Sequence, residues 1–221
     1  MRHALHSLAL GAALALIGAQ AQAGSYSIDF DDLAAGATLS TQYAATTGAT
    51  FSAGGAKTYD SQSQGSGNWA SNTDLTVVSA TGSDTNNLGT PSLASGNVLG
   101  SYAGWINEDG DAAFTISFST AITAFSADFA AVEYGSDVAI YAYSGNTLVS
   151  SVNGGDAYGQ FMLGVTGSDI TSVVITPGSY GDYVAVDNLA FTTASVPEPA
   201  NVALLGLGLG LVALRRARRA A

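Results

Sequence analysis

In the second half of the chain, apolar side chains fall on every second position. Phe114, Ile116 and Phe118 alternate with Thr115 and Ser117, and Phe125, Ala127 and Phe129 alternate with Ser126 and Asp128 after a short turn. A period of two sends alternate side chains to opposite faces, so each run predicts a half-buried β-strand. Residues 138–143, 147–152, 170–176 and 183–191 continue the series, each bounded by Gly, Asn, Asp or Pro. Ser144-Gly145-Asn146 and Asn153-Gly154-Gly155 read as hairpin turns. Upstream, residues 26–30, 39–43, 49–52 and 75–79 read as strands, and the Gly/Ser/Thr/Asn-rich stretches 62–71 and 82–96 read as loops. Nothing between residues 24 and 194 shows a helical stripe. Short strands at intervals of about ten residues predict an all-β fold, an antiparallel β-sandwich of jelly-roll-like form.

Both ends break this pattern. Arg2 precedes an apolar run over residues 8–19, and Ala21-Gln22-Ala23 places small residues before a cut at Ala23/Gly24, so residues 1–23 read as a secretory signal peptide. At the other end Val196-Pro197-Glu198-Pro199 leads into the charge-free apolar stretch 202–214 and then Arg215, Arg216, Arg218 and Arg219. As a helix that stretch rises about 20 Å, short of a hydrocarbon core of about 30 Å. Pro197 and Pro199 stop it from extending backwards, and the arginines prefer the cytoplasmic side, which leaves the preceding domain outside. The expected organisation is a signal peptide over 1–23, one β-sandwich domain over 24–194, and a tail with a short hydrophobic helix over 195–221.

The order Val-Pro-Glu-Pro, short apolar helix, Arg cluster, spread over about the last 26 residues, resembles the PEP-CTERM sorting signal of Gram-negative bacteria. The resemblance implies an exosortase-type membrane enzyme as partner, cleavage near Pro197-Glu198-Pro199, transient residence in the inner membrane, and delivery to the cell surface or an extracellular matrix rich in exopolysaccharide. Such a tail is an address shared by cargoes of unrelated activity.

Charge narrows the function classes. Arg2 and the four terminal arginines lie in the segments expected to be removed, which leaves Lys57 against sixteen acidic residues and a net charge of about −15 for residues 24–194. Nucleic acid is excluded as a partner, because phosphate contacts need basic clusters. The chain has no cysteine, and its two histidines, His3 and His6, sit in the signal peptide. Disulfides, thiol nucleophiles, a Ser-His-Asp triad and imidazole-ligated zinc are therefore excluded. No Gly-x-Ser-x-Gly elbow, P-loop or dinucleotide glycine signature is present. Carboxylates, tyrosines and one lysine remain for chemistry.

Those residues suggest two candidate sites. Residues 28–33, Ile-Asp-Phe-Asp-Asp-Leu, open the domain and residues 186–191, Val-Asp-Asn-Leu-Ala-Phe, close it; the pair is similar to the first and last strands of surface β-sandwich modules, carbohydrate-binding ones among them. Terminal strands of a jelly roll lie side by side, so Asp29, Asp31 and Asp187 are candidate ligands for a structural Ca²⁺, a cation that takes six to eight oxygens. The alternative is that Asp29, Asp31 and Asp32 form a solvated strand end and turn while Asp187 caps a bulge. Trp69 and Trp105, with tyrosines in or beside predicted loops such as Tyr59, Tyr102, Tyr158 and Tyr180, are candidate platforms for sugar rings; the alternative is that one or both tryptophans plug the core. Asn107-Glu108-Asp109-Gly110-Asp111 fails the EF-hand template, whose first and twelfth positions fall on Trp105 and Ile116, and reads as a turn. The leading function is an exported, non-catalytic surface or matrix protein associated with exopolysaccharide. The alternatives are a polysaccharide hydrolase working through two carboxylates and, third, an ice-binding protein.

Overall fold

Nine antiparallel strands carry the fold of the computed structural model, which describes residues 23–53, 75–80, 93–100, 113–178 and 184–194, together with 208, 210 and 215–218 of the tail. In chain order they are β1 (Ser25–Ile28), β2 (Ala49–Ala53), β3 (Val77–Ser79), β4 (Asn97–Gly100), β5 (Phe114–Val132), β6 (Val138–Ser144), β7 (Thr147–Asn153), β8 (Gly159–Pro177) and β9 (Ala185–Thr193). A 3-10 turn, Gly135–Asp137, leads into β6. The expected all-β sandwich is what the chain forms. Gly24–Ala194 is one compact unit.

Hydrogen bonding joins the strands in the order β3-β4-β9-β5-β8-β6-β7, with β1 also on β9 and β2 also on β5. The sandwich arises because β5 and β8, each 19 residues long, serve both layers. The start of β5 pairs with β2 and with the end of β8, which in turn pairs with β6; the rest of β5 pairs with the start of β8 and with β9. Between these halves the β5/β8 register shifts from Ser117/Ser172 to Ile122/Ile170, and Asp169 takes a left-handed φ of 56°. Bulges of this kind let a strand turn a corner and change sheets. β1 and β9 lie side by side, from Ser25 opposite Thr192 to Ile28 opposite Leu189.

The core fills the space between the layers. Phe114, Ile116, Ile140 and Ile175 come from one layer and Phe125, Phe129, Val186 and Phe191 from the other, all buried in one apolar cluster. Phe118 joins them at the corner, its ring 4.9 Å from Phe191 and 6.2 Å from Phe125. Each such burial contributes about 1.5–3 kcal/mol of transfer free energy. A smaller apolar cluster, Ala80, Ala94, Val98, Ala130 and Ala185, seats residues 94–98 beside β5 and β9.

Four elements differ from expectation. Residues 114–118 and 125–129 are one bent strand, not two joined by a turn, because the Ser/Thr/Ala residues between them tolerate a bulge. The strand expected at 170–176 begins eleven residues earlier, at Gly159. β4 at residues 97–100 was not anticipated. Residues 39–43 are turn, although Leu39 and Tyr43 are buried. There Leu39 N–H reaches Leu75 O at 2.8 Å and Thr47 N–H reaches Tyr43 O at 2.9 Å. Tyr43 completes an edge-to-face trio with Phe30 and Phe51, at centroid distances of 6.2–6.5 Å.

Candidate functional site

Pairing β1 with β9 brings the acidic residues of the two chain ends into one neighbourhood. Asp187 is 1% exposed, and its carboxylate accepts the N–H of Asn188 at 2.7 Å and of Ser95 at 3.1 Å. Burial pushes its pKa up to about 6; the two amide bonds oppose that, while the charges of Asp31 and Asp29 add to it. Asp31 accepts the N–H of Asn97 at 2.7 Å, and its own N–H donates to Asp29 at 3.2 Å. Asn97 Nδ2 donates to Leu33 O at 2.8 Å. The Asp31 carboxylate lies directly over Gly96, whose φ is +68°, so neither a side chain nor an ordinary backbone conformation fits there. Asp32 accepts the Tyr43 hydroxyl; burial and then that bond push the Tyr43 pKa well up.

Of the carboxylates expected to hold calcium, Asp31 and Asp187 thus meet across residues 95–97, with main-chain amides between them, and Asp29 accepts the N–H of Asp31. Among the described residues, no group of three or more Asp, Glu, His or Cys side chains is placed to hold a metal ion. The arrangement is a clasp. Asp187 also marks a bulge, since β5 and β9 shift register between Ser126 and Asp128, and Asn188 takes φ 48°, which asparagine tolerates better than most residues.

That bulge turns Asn188 outward, beside a second group of polar side chains. Phe129 and Phe161 are opposite one another and stack at 6.0 Å on the core side, so their neighbours Asp128 and Met162, also opposite, point outward. Asn188 Nδ2 donates to Asp128 at 3.1 Å and to Leu93 O at 2.8 Å. Leu93 N–H is held by the side-chain carbonyl of Gln160. Burial pushes the Asp128 pKa up, and the Asn188 bond works against it. Large apolar side chains stay exposed along this border: Tyr158 at 78%, Met162 at 63%, Tyr134 at 49% and Leu93 at 42%.

Trp69 and Trp105 lie outside the described residues, as do Ala21, Val196, Pro197, Glu198, Pro199 and Arg219. Ala23 is exposed, and the next residue, Gly24, donates its N–H to Thr193 Oγ1 at 2.9 Å and accepts the Thr193 N–H at 2.8 Å. Arg215, Arg216 and Arg218 are helical and exposed. Among the described residues no helix is long and apolar enough to cross a membrane. Sequence reasoning missed Asp128, Gln160, Met162 and Asn188, whereas Tyr158 stood among the loop tyrosines it offered to sugar rings. The signal was the alternation Gln160, Met162, Gly164 against Phe161, Leu163, Val165, which puts a methionine on a strand's polar side.

No protein-family model matches the chain, and no curated protein matches it. Solved structures similar to it include the K2 cleaved adhesin domain of Lys-gingipain, at 13% identity over 77% of this chain and 100% of that one, with a TM-score of 0.43. A carbohydrate-binding module described for specific mannan recognition matches at 10% identity over 79% and 99%, with a TM-score of 0.39. The family 11 carbohydrate-binding module of Clostridium thermocellum, in complex with a mixed-linked tetrasaccharide, matches at 13% identity over 80% and 92%, with a TM-score of 0.29.

Proposed function

We propose that the protein is exported and acts as a non-catalytic component of the cell surface or extracellular matrix, its β-sandwich holding envelope polysaccharide. The observation that carries this reading is the use made of the carboxylates. Asp31, Asp32, Asp128 and Asp187 each accept hydrogen bonds from the protein's own groups: Asp31 and Asp187 fasten loop to strand, Asp32 ties turn to turn and Asp128 ties β5 to β9. A glycosidase needs two acids facing each other across the scissile bond, about 5–10 Å apart, and free to act on it. Among the described residues, these four acids serve as clasps while aromatic and thioether side chains stay exposed, which suits binding better than cleavage.

Export and tail processing rest on the sequence order at the two ends. Gly24 and Thr193 are hydrogen-bonded to each other, and Ala194 N–H reaches Ala121 O at 2.8 Å. Loss of residues 1–23 and of the chain beyond Ala194 therefore costs the sandwich none of these bonds. Fractionating a strain that expresses the full chain tests the reading. The protein is expected in the surface polysaccharide fraction, lighter by both ends, and in the inner membrane when Pro197-Glu198-Pro199 is replaced by alanines. A full-length protein that stays in the cytosol contradicts it.

A further inference from the structure

The exposed side chains at the start of β8 are held on a rigid frame. Gln160 N–H bonds to Tyr158 O at 3.2 Å across Gly159, whose φ is +82°, so a γ-turn aims Tyr158 outward. Behind it, Gly135 is pressed against the Ala157 carbonyl. A Cβ on Gly154 would stand 2.6 Å from Gly135 O and 2.7 Å from the Phe161 ring. Ala157 N–H closes the turn on Gly154 O at 3.0 Å. Tyr158, 78% exposed, thus stands on a turn held by main-chain bonds and close glycine packing.

Tyr158, Gln160 and Met162 follow one another as a row: Gln160 and Met162 stand two residues apart on the outward side of β8, and Tyr158 precedes them across the γ-turn. Beside it lie Asp128, opposite Met162, and Asn188, bonded to Asp128. The contacts to Leu93 fix the planes of Gln160 and Asn188. Among the described residues, Gln160 Nε2, Asn188 Oδ1 and one Asp128 oxygen keep no protein partner. One donor and two acceptors, preset in direction, match adjacent sugar hydroxyls, each of which both donates and accepts. The Tyr158 ring and the Met162 thioether supply apolar surface for the C–H face of a sugar ring. Asp128, in a domain of net charge about −15, repels uronate, sulfate and phosphate groups.

Resting on the reading of a polysaccharide-holding surface protein, we propose that the row Tyr158–Gln160–Met162, with Asp128 and Asn188, is a binding site for an uncharged hexose chain lying along the start of β8. The test is affinity electrophoresis of the secreted protein in native gels containing hydroxyethylcellulose, galactomannan or alginate. Retardation is expected in at least one neutral gel and not in alginate. Tyr158→Ala and Met162→Ser are each expected to weaken it about tenfold, the size of one lost stacking contact, with the melting temperature unchanged because both side chains are exposed. Variants retarded like the wild type overturn this site while leaving the broader reading in place. Retardation by alginate alone overturns the neutral ligand. A wild-type protein retarded by none of the three overturns the proposal, and its absence from the surface polysaccharide fraction would take the broader reading with it.

Discussion

At the scale of single residues, the clasp of Asp187 makes the domain sensitive to pH. Its pKa rises from 3.8 to about 6 on folding, so between those values the folded protein holds a proton that the unfolded chain releases. This contribution to stability is complete below about pH 4, falls as pH rises towards 6, and is flat above. Melting measured by calorimetry should come at a higher temperature at pH 4.5 than at pH 7. Asp187→Asn should flatten that slope, and an identical slope in the variant would contradict the assignment. Gly96 has an equally local role. Gly96→Ala would push a methyl group into the Asp31 carboxylate at φ +68°, and a loss of about 1–3 kcal/mol is expected in denaturant unfolding. An unchanged midpoint would show that the clasp yields at little cost. Asp31 and Asp187 were legible in the sequence as neighbours, because Asp31 follows the first strand and Asp187 lies in the last. What they bond was not, since Ser95 and Asn97 contribute through main-chain amides that no residue type announces.

At the scale of elements, the bent strands decide how the layers meet. Phe118 stands at the bend of β5 and meets two rings of the opposite layer, Phe125 and Phe191. Phe118→Ala should cost about 3–5 kcal/mol, the usual range for removing a buried phenylalanine, read as a lower urea midpoint at unchanged slope. A loss below about 1 kcal/mol would mean that the layers pack without it. The β6–β7 hairpin was plain from Ser144-Gly145-Asn146, and Gly145 indeed has φ 57°. The continuity of β5 was hidden because residues 119–123 contain no apolar alternation that would mark a strand. The first half of β8 was hidden by Gly159, Gly164, Gly167 and Asp169, residues that ordinarily punctuate strands and here serve the γ-turn, the close β5 pairing and the corner. Residues 39–43 misled for the converse reason: Leu39 and Tyr43 are spaced for the core, yet the bonds to Leu75 and Thr47 make the segment a turn.

At the scale of the whole molecule, charge is segregated. β2, β6, β7 and the parts of β5 and β8 in their layer carry no charged residue, although residues 24–194 hold sixteen acids. Among the described residues the acids gather at strand ends and bends, in turns and beside β9, where Asp31, Asp128 and Asp187 meet backbone and side-chain donors. The sequence showed a sandwich without thiol or imidazole, which excludes chemistry that needs either group from residues 24–194. It did not show the exposed row along β8, because a tyrosine, a glutamine and a methionine acquire meaning only once a bulge and a γ-turn set them on one face.

The central claim, a sandwich that holds polysaccharide without cutting it, is most directly tested on one sample. The processed protein, recovered from culture, is incubated with the surface polysaccharide purified from the same cells, and both co-sedimentation and new reducing ends are measured. The account predicts saturable co-sedimentation with reducing ends at the level of the protein-free control. Reducing ends that accumulate with time, or protein left entirely in the supernatant, would contradict it.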